Sequence, residues 1–323
     1  MIAAYKGIVV LALALFLAAI LQAEGLRKQA EIQPSGFQRD VALRVTKPLV
    51  SFSRALHLTT PRHELQVAIG RENEDQIDTQ VHLSLPPPAT TPPTTNKPKP
   101  RRPLTKQAKP LFTAAHPLRV WVAGDSLAQV PGDALERIGG AIDVVGVESR
   151  LSTGLARTDL YNWFTRIQQA PRQLHPDVVV FSFGADDAHD YMGGAHVGPF
   201  GSPSWIAEYR RRIDGVTREL NAEGIRVVWL GLPIPDGPGF RKSFPVVNAI
   251  LEDVAHAHAH ATSYVDTWHR LDDFHGRYAQ YLRVHGKLTQ VRAADGVHYT
   301  EAGGDLVAAQ VVAQLRAWYR LRS

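Results

Sequence analysis

The sequence predicts an α/β fold: a three-layer α/β/α sandwich around a parallel five-stranded sheet, preceded by an N-terminal membrane helix and a proline-rich linker. Three observations support this prediction: short β-branched apolar runs, helical periodicity between them, and an uncharged apolar stretch near the N-terminus. Nearly continuous apolar runs suit strands that are buried on both faces of a parallel sheet. The five runs are Leu118–Ala123, Ile142–Val147, Asp177–Phe183, Arg226–Gly231 and Thr262–Thr267.

Helical patterns separate these predicted strands. One has apolar residues at helical spacing from Trp205 to Leu220 and ends before Gly224, a residue typical of a helix C-terminus. The last helix begins after Thr300, a predicted N-cap. Ligands of such folds bind beyond the carboxyl ends of the strands, so the residues that follow each strand are candidates for chemistry.

The N-terminal segment, residues 1–23, carries an apolar run from Gly7 to Leu21. A helix extended to Ala23 would span 17 residues, or about 25 Å at 1.5 Å per residue. We favour an uncleaved signal-anchor, because cleavage after Ala23 would place Leu21 where signal peptidase prefers a small residue. A cleaved signal peptide and a buried helix are the alternatives.

Two segments separate this run from the predicted sheet. Residues 24–85 form a poorly defined juxtamembrane segment, in which Pro48 and Pro61 interrupt amphipathic pieces. Residues 86–110 hold nine of the 22 prolines and six cations but no acid, and therefore predict an extended linker. Binding of this linker to anionic lipid or acidic glycan is the alternative. Residues 111–323 form the predicted α/β domain.

Charge and cysteine content exclude several classes of function. The net charge of +5 includes the six linker cations, so the rest of the chain carries 5 − 6 = −1. We therefore expect no nucleic-acid partner, since such partners require a basic face. The chain has no cysteine, which excludes disulfides, thiolate metal sites and a cysteine nucleophile.

Two short motifs could supply a nucleophile and a base. After the first strand, Ser126 of Gly124-Asp125-Ser126-Leu127 would lie at a strand-to-helix corner, where its N–H could stabilise negative charge. In Asp295-Gly296-Val297-His298, the carboxylate could fix one imidazole tautomer and leave the other nitrogen free to accept a proton. Each motif alone also fits a blander interpretation, a serine N-cap in the first case and a helix cap with a surface histidine in the second.

Two further motifs follow the next two predicted strands, and the four motifs together are far more specific than any one of them. They are Ser152-Thr153-Gly154 and Gly184-Ala185-Asp186-Asp187. With these four motifs in order, residues 117–320 resemble the SGNH, or GDSL, hydrolase superfamily, and within it a bacterial branch of membrane-anchored, extracytoplasmic proteins of unassigned role. The resemblance implies Ser126 as nucleophile and His298 as base oriented by Asp295. It also implies oxyanion donors from Ser126, Gly154 and position 186, and no metal or organic cofactor.

Position 186 departs from the family pattern. The family carries an asparagine whose side chain donates to the oxyanion, whereas this chain has Asp186. An ionised carboxylate has no donor. Three interpretations remain open: a protonated Asp186 that donates, an oxyanion hole with two backbone donors, or a domain that has lost hydrolysis and retained ligand binding.

Several further features border the predicted site. We predict that Asp125, Asp187 and Tyr191 contact the substrate. Arg241 and Lys242 either meet an anionic substrate or face water. The alternating residues His256, His258 and His260 indicate a solvated helix face rather than a metal site.

The expected function is that of an extracytoplasmic serine esterase, or an O-acyltransferase, acting on acyl groups of cell-envelope carbohydrate through an acyl-enzyme on Ser126. Expected partners are an acylated glycan or other small ester, the membrane through the N-terminal helix, and a membrane-bound O-acyltransferase. The alternative is a catalytically weak glycan-binding or scaffold protein of the cell envelope.

Overall fold

The computed structural model describes residues 37–55 and 109–322 except 194 and 196, and also residues 17, 19–21, 23, 26–27, 80, 81 and 83. The chain divides into two compact units, Met1–Ile77 and Asp78–Ser323. Most of the apolar run at residues 7–21 and the linker at residues 86–108 lie outside the described residues.

The first unit contains one long described helix, α1, at Phe37–Ala55. Pro48 lies inside this helix and does not interrupt it, contrary to the sequence prediction. Val50 and Ser53 are buried, one turn apart on the same face. In the part of the chain that the structure describes, no helix is both long and apolar enough to span a bilayer.

The second unit alternates strands and helices. Its strands are β1 (Leu111–Thr113), β2 (Leu118–Gly124), β3 (Ile142–Ser149), β4 (Val178–Ser182), β5 (Arg226–Leu230), β6 (Thr262–Val265), β7 (Tyr281–Val284), β8 (Lys287–Gln290) and β9 (Arg320–Arg322). Its helices are α2 (Gln129–Ile138), α3 (Trp163–Leu174), α4 (Pro203–Ala222), α5 (Pro238–Ala257), α6 (Thr267–Arg270) and α7 (Glu301–Trp318), and a 3₁₀ turn spans Ser126–Ala128.

The central sheet has the order β3-β2-β4-β5-β6, and all its neighbours are parallel. The prediction of a parallel five-stranded sheet is therefore confirmed. Helices cover both faces. On one face, Gly132 of α2 packs against Val122; on the other, the indole of Trp229 donates to Thr217 of α4 over 3.0 Å. The switch in strand order between β2 and β4 places the ends of these strands beside a crevice.

Residues upstream of the linker also pack on this unit. Val81 and Leu83 contact its hydrophobic core, and the backbone oxygen of Gln80 accepts from the Asn162 side chain over 2.9 Å. Leu83 lies directly against Gly215 of α4. The α/β unit therefore includes residues that the sequence analysis assigned to the juxtamembrane segment.

The first and last strands of the α/β domain form a small parallel ribbon, in which Leu111 pairs with Arg320. Arg226, the first residue of β5, stacks its guanidinium over the rings of Trp318 and Tyr319 at 5.0 and 5.1 Å. The ribbon therefore lies at the amino end of the central sheet.

Candidate active site

Ser126 lies at the corner between β2 and α2, at the carboxyl end of the sheet. The corner depends on Gly124, because a side chain there would collide with the backbone oxygen of Ser182 on the neighbouring strand. Asp125 caps the 3₁₀ turn by accepting from the N–H of Leu127 over 3.0 Å. As a result, the half-buried Ser126 faces out of the sheet at its switch point.

His298 and Asp295 complete a chain of hydrogen bonds to Ser126. His298 Nε2 lies 2.8 Å from Ser126 Oγ, and His298 Nδ1 lies 2.7 Å from Asp295 Oδ2. Burial raises the pKa of Asp295, but hydrogen bonds from the N–H groups of His298 and Val297 outweigh it and lower the value to about 2. The ionised carboxylate therefore accepts from Nδ1–H and leaves Nε2 free to accept the serine proton.

A buried arginine that the sequence analysis missed supports this loop. The guanidinium of Arg292 is fully buried and donates to the backbone oxygens of Val297 and Ile234 over 2.6 and 2.7 Å. Longer bonds reach the oxygens of Gly296 and His298, at 3.3 and 3.4 Å. The arginine thus connects the Asp295–His298 loop with the segment after β5. Nothing in the sequence distinguishes it from a surface arginine.

The backbone N–H groups of Ser126 and Gly154 are the candidates for binding an oxyanion. Among the hydrogen bonds of the described residues, none uses the N–H of Ser126 or of Gly154. The flanking N–H groups of Leu155 and Ala156 are both bound by Asp187. Unpaired N–H groups beside a nucleophile are suited to stabilising an oxyanion.

Asp186 follows β4, lies close enough to His298 for their charges to interact, and is half-buried. Burial and the charge of Asp187 raise its pKa to about 6, against opposing effects of His298, Arg157 and the N–H of Ser152. Ser152 itself has a left-handed backbone (φ +59°). Near neutral pH, Asp186 therefore changes between a protonated acid, which can donate a hydrogen bond, and a carboxylate, whose negative charge would repel an oxyanion.

Two residues predicted to contact the substrate do not line the site. Asp125 and Asp187 are fully buried. Asp125 accepts from the N–H groups of Leu127 and Ala185 at 3.0 Å each, and burial together with the charge of Asp186 raises its pKa. The prediction is therefore wrong for both residues: because their carboxylates are occupied by internal donors, they shape the site.

The other predicted contacts have different outcomes. Tyr191 is half-exposed, and its contact with substrate stays a prediction. Arg241 donates to the backbone oxygen of Pro235 over 3.1 Å and pairs with Asp236 at 3.4 Å, so its guanidinium is held by its own loop. His258 pairs with Asp214 at 2.7 Å. Within the described ranges, no three His, Cys, Asp or Glu residues are grouped as a metal would require.

A second Asp-x-x-His pair occurs in Asp266–His269, after β6. His269 Nδ1 lies 2.6 Å from Asp266 Oδ2, and the N–H of His269 donates to Asp266 Oδ1 over 3.1 Å. The local geometry therefore repeats that of Asp295 and His298, but only His298 reaches Ser126. The sequence motif alone does not separate the two pairs.

A match to a protein-family model shows which family the chain belongs to. A model of the family described as "Protein of unknown function (DUF459)" matches residues 119–314, which is more than half of the chain. The chain belongs to DUF459. DUF459 is an SGNH-like family, so the resemblance to the SGNH superfamily is confirmed, whereas the membrane-anchored branch stays a prediction. None of the curated proteins compared with the chain matches it.

Several solved structures resemble this DUF459 chain. A protein from Slackia heliotrinireducens assigned to the SGNH hydrolases shares 20% identity, over 62% of this chain and 99% of the other, with a TM-score of 0.40. A GDSL-like lipase from Bacteroides thetaiotaomicron shares 17% identity, over 62% and 88%, with a TM-score of 0.42. A protein from Bacteroides fragilis assigned as an acylhydrolase shares 17% identity, over 64% and 90%, with a TM-score of 0.44.

Proposed function

We propose that the protein is a serine hydrolase that cleaves carboxylic esters through an acyl-enzyme on Ser126. One observation carries the proposal: an unbroken hydrogen-bond chain from Asp295 through His298 to Ser126, at 2.7 and 2.8 Å. The N–H groups of Ser126 and Gly154, which have no hydrogen-bond partner among the described residues, are the proposed oxyanion donors. A nucleophile, an oriented base and oxyanion donors at one point are what acyl transfer requires.

The geometry accounts for each proton in the reaction. Ser126 Oγ attacks the ester carbonyl carbon while its proton passes to His298 Nε2, and the carbonyl oxygen becomes an oxyanion. The ester C–O bond then breaks, and the imidazolium returns the proton to the departing alcohol. Water, or the hydroxyl group of an acceptor, gives a proton to Nε2 and attacks the carbonyl carbon of the acyl-enzyme. The bond between that carbon and Ser126 Oγ then breaks, Nε2 returns the proton to Oγ, and the carboxylic acid or the new ester leaves.

For the substrate, we propose acyl groups, acetyl first among them, carried by carbohydrate of the cell envelope. The apolar run at residues 7–21 and the lack of cysteine support a position outside the cytoplasm. A sugar hydroxyl as acceptor would make the protein an O-acyltransferase, with a membrane-bound O-acyltransferase as partner. Fusion of an export-dependent reporter after Ser323 is expected to give reporter activity, and a cytoplasm-dependent reporter is not.

The test is hydrolysis of a chromogenic acetyl ester by the full chain and by three variants. We expect Ser126→Ala and His298→Ala to abolish turnover above the buffer rate, because each removes one member of the chain of hydrogen bonds. His269→Ala is the matched control, since it removes a histidine from the second Asp-x-x-His pair. Equal activity of the wild type and Ser126→Ala would contradict the proposal.

A second candidate function is glycan binding with little or no catalysis. Asp186 favours it, because an ionised carboxylate close to His298 would oppose formation of an oxyanion on a substrate bound there. In that case a carbohydrate ester would bind to the wild type and to Ser126→Ala with equal affinity and remain intact with both.

A further inference from the structure

The loop that carries Gly154 is held on both sides of its backbone. The N–H groups of Leu155 and Ala156 donate to Asp187, over 3.1 and 2.8 Å. The oxygen of Leu155 accepts from the Arg212 guanidinium over 2.7 Å, and the oxygen of Ala156 accepts from the N–H of Gly193 over 2.8 Å. Residues 155 and 156 therefore have no free backbone polar group, whereas the N–H of residue 154 is free.

Asp187 connects this loop to the interior of the domain. It is fully buried, and its Oδ2 accepts a third hydrogen bond from the hydroxyl of Tyr209 at 2.5 Å. Tyr209 stacks on Trp205 at a ring distance of 4.8 Å, and both belong to α4. Three donors converge on one carboxylate, which therefore acts only as an acceptor.

Arg212 supplies the opposite charge from the same helix. Its side chain is fully buried, and besides Leu155 it donates to the oxygen of Gly193 at 2.5 Å and to Glu208 at 2.9 Å. Asp187 thus holds the loop by accepting from its N–H groups, and Arg212 holds it by donating to a backbone oxygen. Each buried charge has partners, which makes the arrangement sensitive to loss of either group.

Gly154 fits this arrangement only because it lacks a side chain. A Cβ at residue 154 would overlap the Asp187 carboxylate. The carboxylate therefore lies directly against the backbone of Gly154. Because the next two N–H groups are also bonded to this carboxylate, its position limits how the backbone at Gly154 can turn.

We propose that Asp187 is a positioning residue for the oxyanion hole, and that Tyr209 and Arg212 of α4 anchor it. Asp187 acts through the N–H of Gly154 and does not touch the substrate. The inference rests on the proposed esterase function for its kinetic consequence. Its structural consequence, a fixed loop at residues 154–156, is independent of any substrate.

The decisive variant is Asp187→Asn. An amide keeps one acceptor oxygen but turns an NH₂ donor toward an N–H of Leu155 or Ala156, so at least one of these bonds is lost. We expect kcat to fall by about 10- to 1,000-fold, the upper value being that of one lost oxyanion donor. KM should stay within about threefold, because substrate binding is not changed.

The control variant is Asp177→Asn, which also replaces a carboxylate that accepts a backbone N–H, that of Arg119 at 2.9 Å. Asp177 precedes β4 and lies at the amino end of the sheet, far from Ser126 along the strands. We expect kcat of Asp177→Asn to stay within about threefold of the wild type.

A second control separates the effect of Asp187 from the charge of Asp186. Repeating the Asp187→Asn measurement in an Asp186→Asn background keeps the charge of residue 186 constant, and we expect the loss of kcat to remain.

Amide hydrogen exchange separates the two proposals. In Asp187→Asn, exchange at Leu155 and Ala156 should accelerate at least tenfold while the amides of β2 and β4 keep their wild-type rates. This result is expected even if the wild type hydrolyses no ester, in which case only the esterase proposal fails. If Asp187→Asn does not fold, Tyr209→Phe removes one of the three donors and should give the same changes at smaller size.

Two outcomes would overturn the proposal. One is unchanged exchange at residues 155 and 156 in a folded variant. The other is faster exchange throughout the domain with a rise in KM as large as the fall in kcat, which would show a general structural role.

Discussion

The carboxylate of Asp187 fills the volume that a side-chain carbon at Gly154 would need. Gly154→Ala should therefore displace the loop and lower kcat by up to about 10²–10³, the effect of one oxyanion donor. Gly239→Ala is the matched control, because nothing lies within 4 Å of a Cβ at that helical position. Steady-state kinetics of both variants would check this, and equal kcat values would contradict it.

Asp186→Asn should change activity in a pH-dependent way. The pKa of Asp186 is raised to about 6 by burial and by Asp187, so below that pH the protonated acid already donates. Above it, the variant restores a donor that the wild type lacks, and kcat should exceed the wild-type value by up to about 10²–10³. The ratio of variant to wild-type kcat should rise through about pH 6.

The same substitution should alter stability. An aspartate whose folded-state pKa lies above its ordinary value destabilises the fold as pH rises between the two values, here 3.8 and about 6. Asp186→Asn should therefore raise the melting temperature more at pH 8 than at pH 4.

The kinetic prediction has its own contradicting outcome. If the ratio of Asp186→Asn kcat to wild-type kcat is below one at every pH, this carboxylate takes part in the chemistry directly.

Asp295→Asn should lower kcat by as much as about 10⁴, because the amide can present a donor to His298 Nδ1 and favour the wrong tautomer. The backbone cap is retained, since the remaining oxygen still accepts from the N–H groups of Val297 and His298. Asp266→Asn makes the same change in the second pair and should leave kcat unaltered. Similar losses in both variants would show that the effect does not depend on the serine.

Arg292→Lys should weaken both the fold and the reaction. An ammonium group cannot reach all the backbone oxygens that the guanidinium binds, and each buried oxygen left unpaired costs about 1–3 kcal/mol. Arg277→Lys is the control, since that side chain is 74% exposed in its pair with Asp273. Urea unfolding and kcat would be measured for both, and an Arg292→Lys protein indistinguishable from Arg277→Lys would refute the role of the buried arginine.

A chain beginning at Asp78 should be more stable than one beginning at Lys109. The longer chain keeps Val81 and Leu83 on the core and the hydrogen bond from Asn162 to Gln80. Burial of two aliphatic side chains is worth about 1.5–3 kcal/mol each when complete, and these are partly buried. Thermal unfolding of the two chains is the measurement. Equal melting temperatures would show that residues 78–108 add nothing to the domain.

The sheet and the grouping of Ser126, His298 and Asp295 could be predicted because their signals are local. Strands buried on both faces appear as continuous apolar runs, and Ser126, Asp295 and His298 each follow or precede a recognisable element. The carboxylates of Asp125 and Asp187 could not be assigned, because a buried aspartate and an exposed one look alike in a sequence. Their burial depends on N–H groups from other loops, such as those of Leu155 and Ala185.

Buried arginines were missed for a related reason. Arg212 and Arg292 bind mainly backbone oxygens, and a sequence contains no mark of which carbonyl lacks a partner. The β7–β8 hairpin turns at His285 and Gly286, which both have left-handed backbones, and of the two only the glycine is a turn signal in the sequence. The pairing of β1 with β9 joins residues more than 200 positions apart, and such short strands have no distinctive pattern.

The β1–β9 ribbon has a mechanical consequence. Leu111 and Arg320 are neighbours at the amino end of the sheet, whereas Ser126 lies at the opposite end. A force applied at Leu111 and Arg320 would therefore enter the domain at one corner. It would load β1, β9 and the end of α7 first, at the end of the sheet opposite Ser126. A pull from upstream of the linker would act first on Gln80, Val81 and Leu83, which contact Asn162 and the core. A domain held at the β1–β9 corner can therefore pivot there while Ser126 and His298 keep their hydrogen bond.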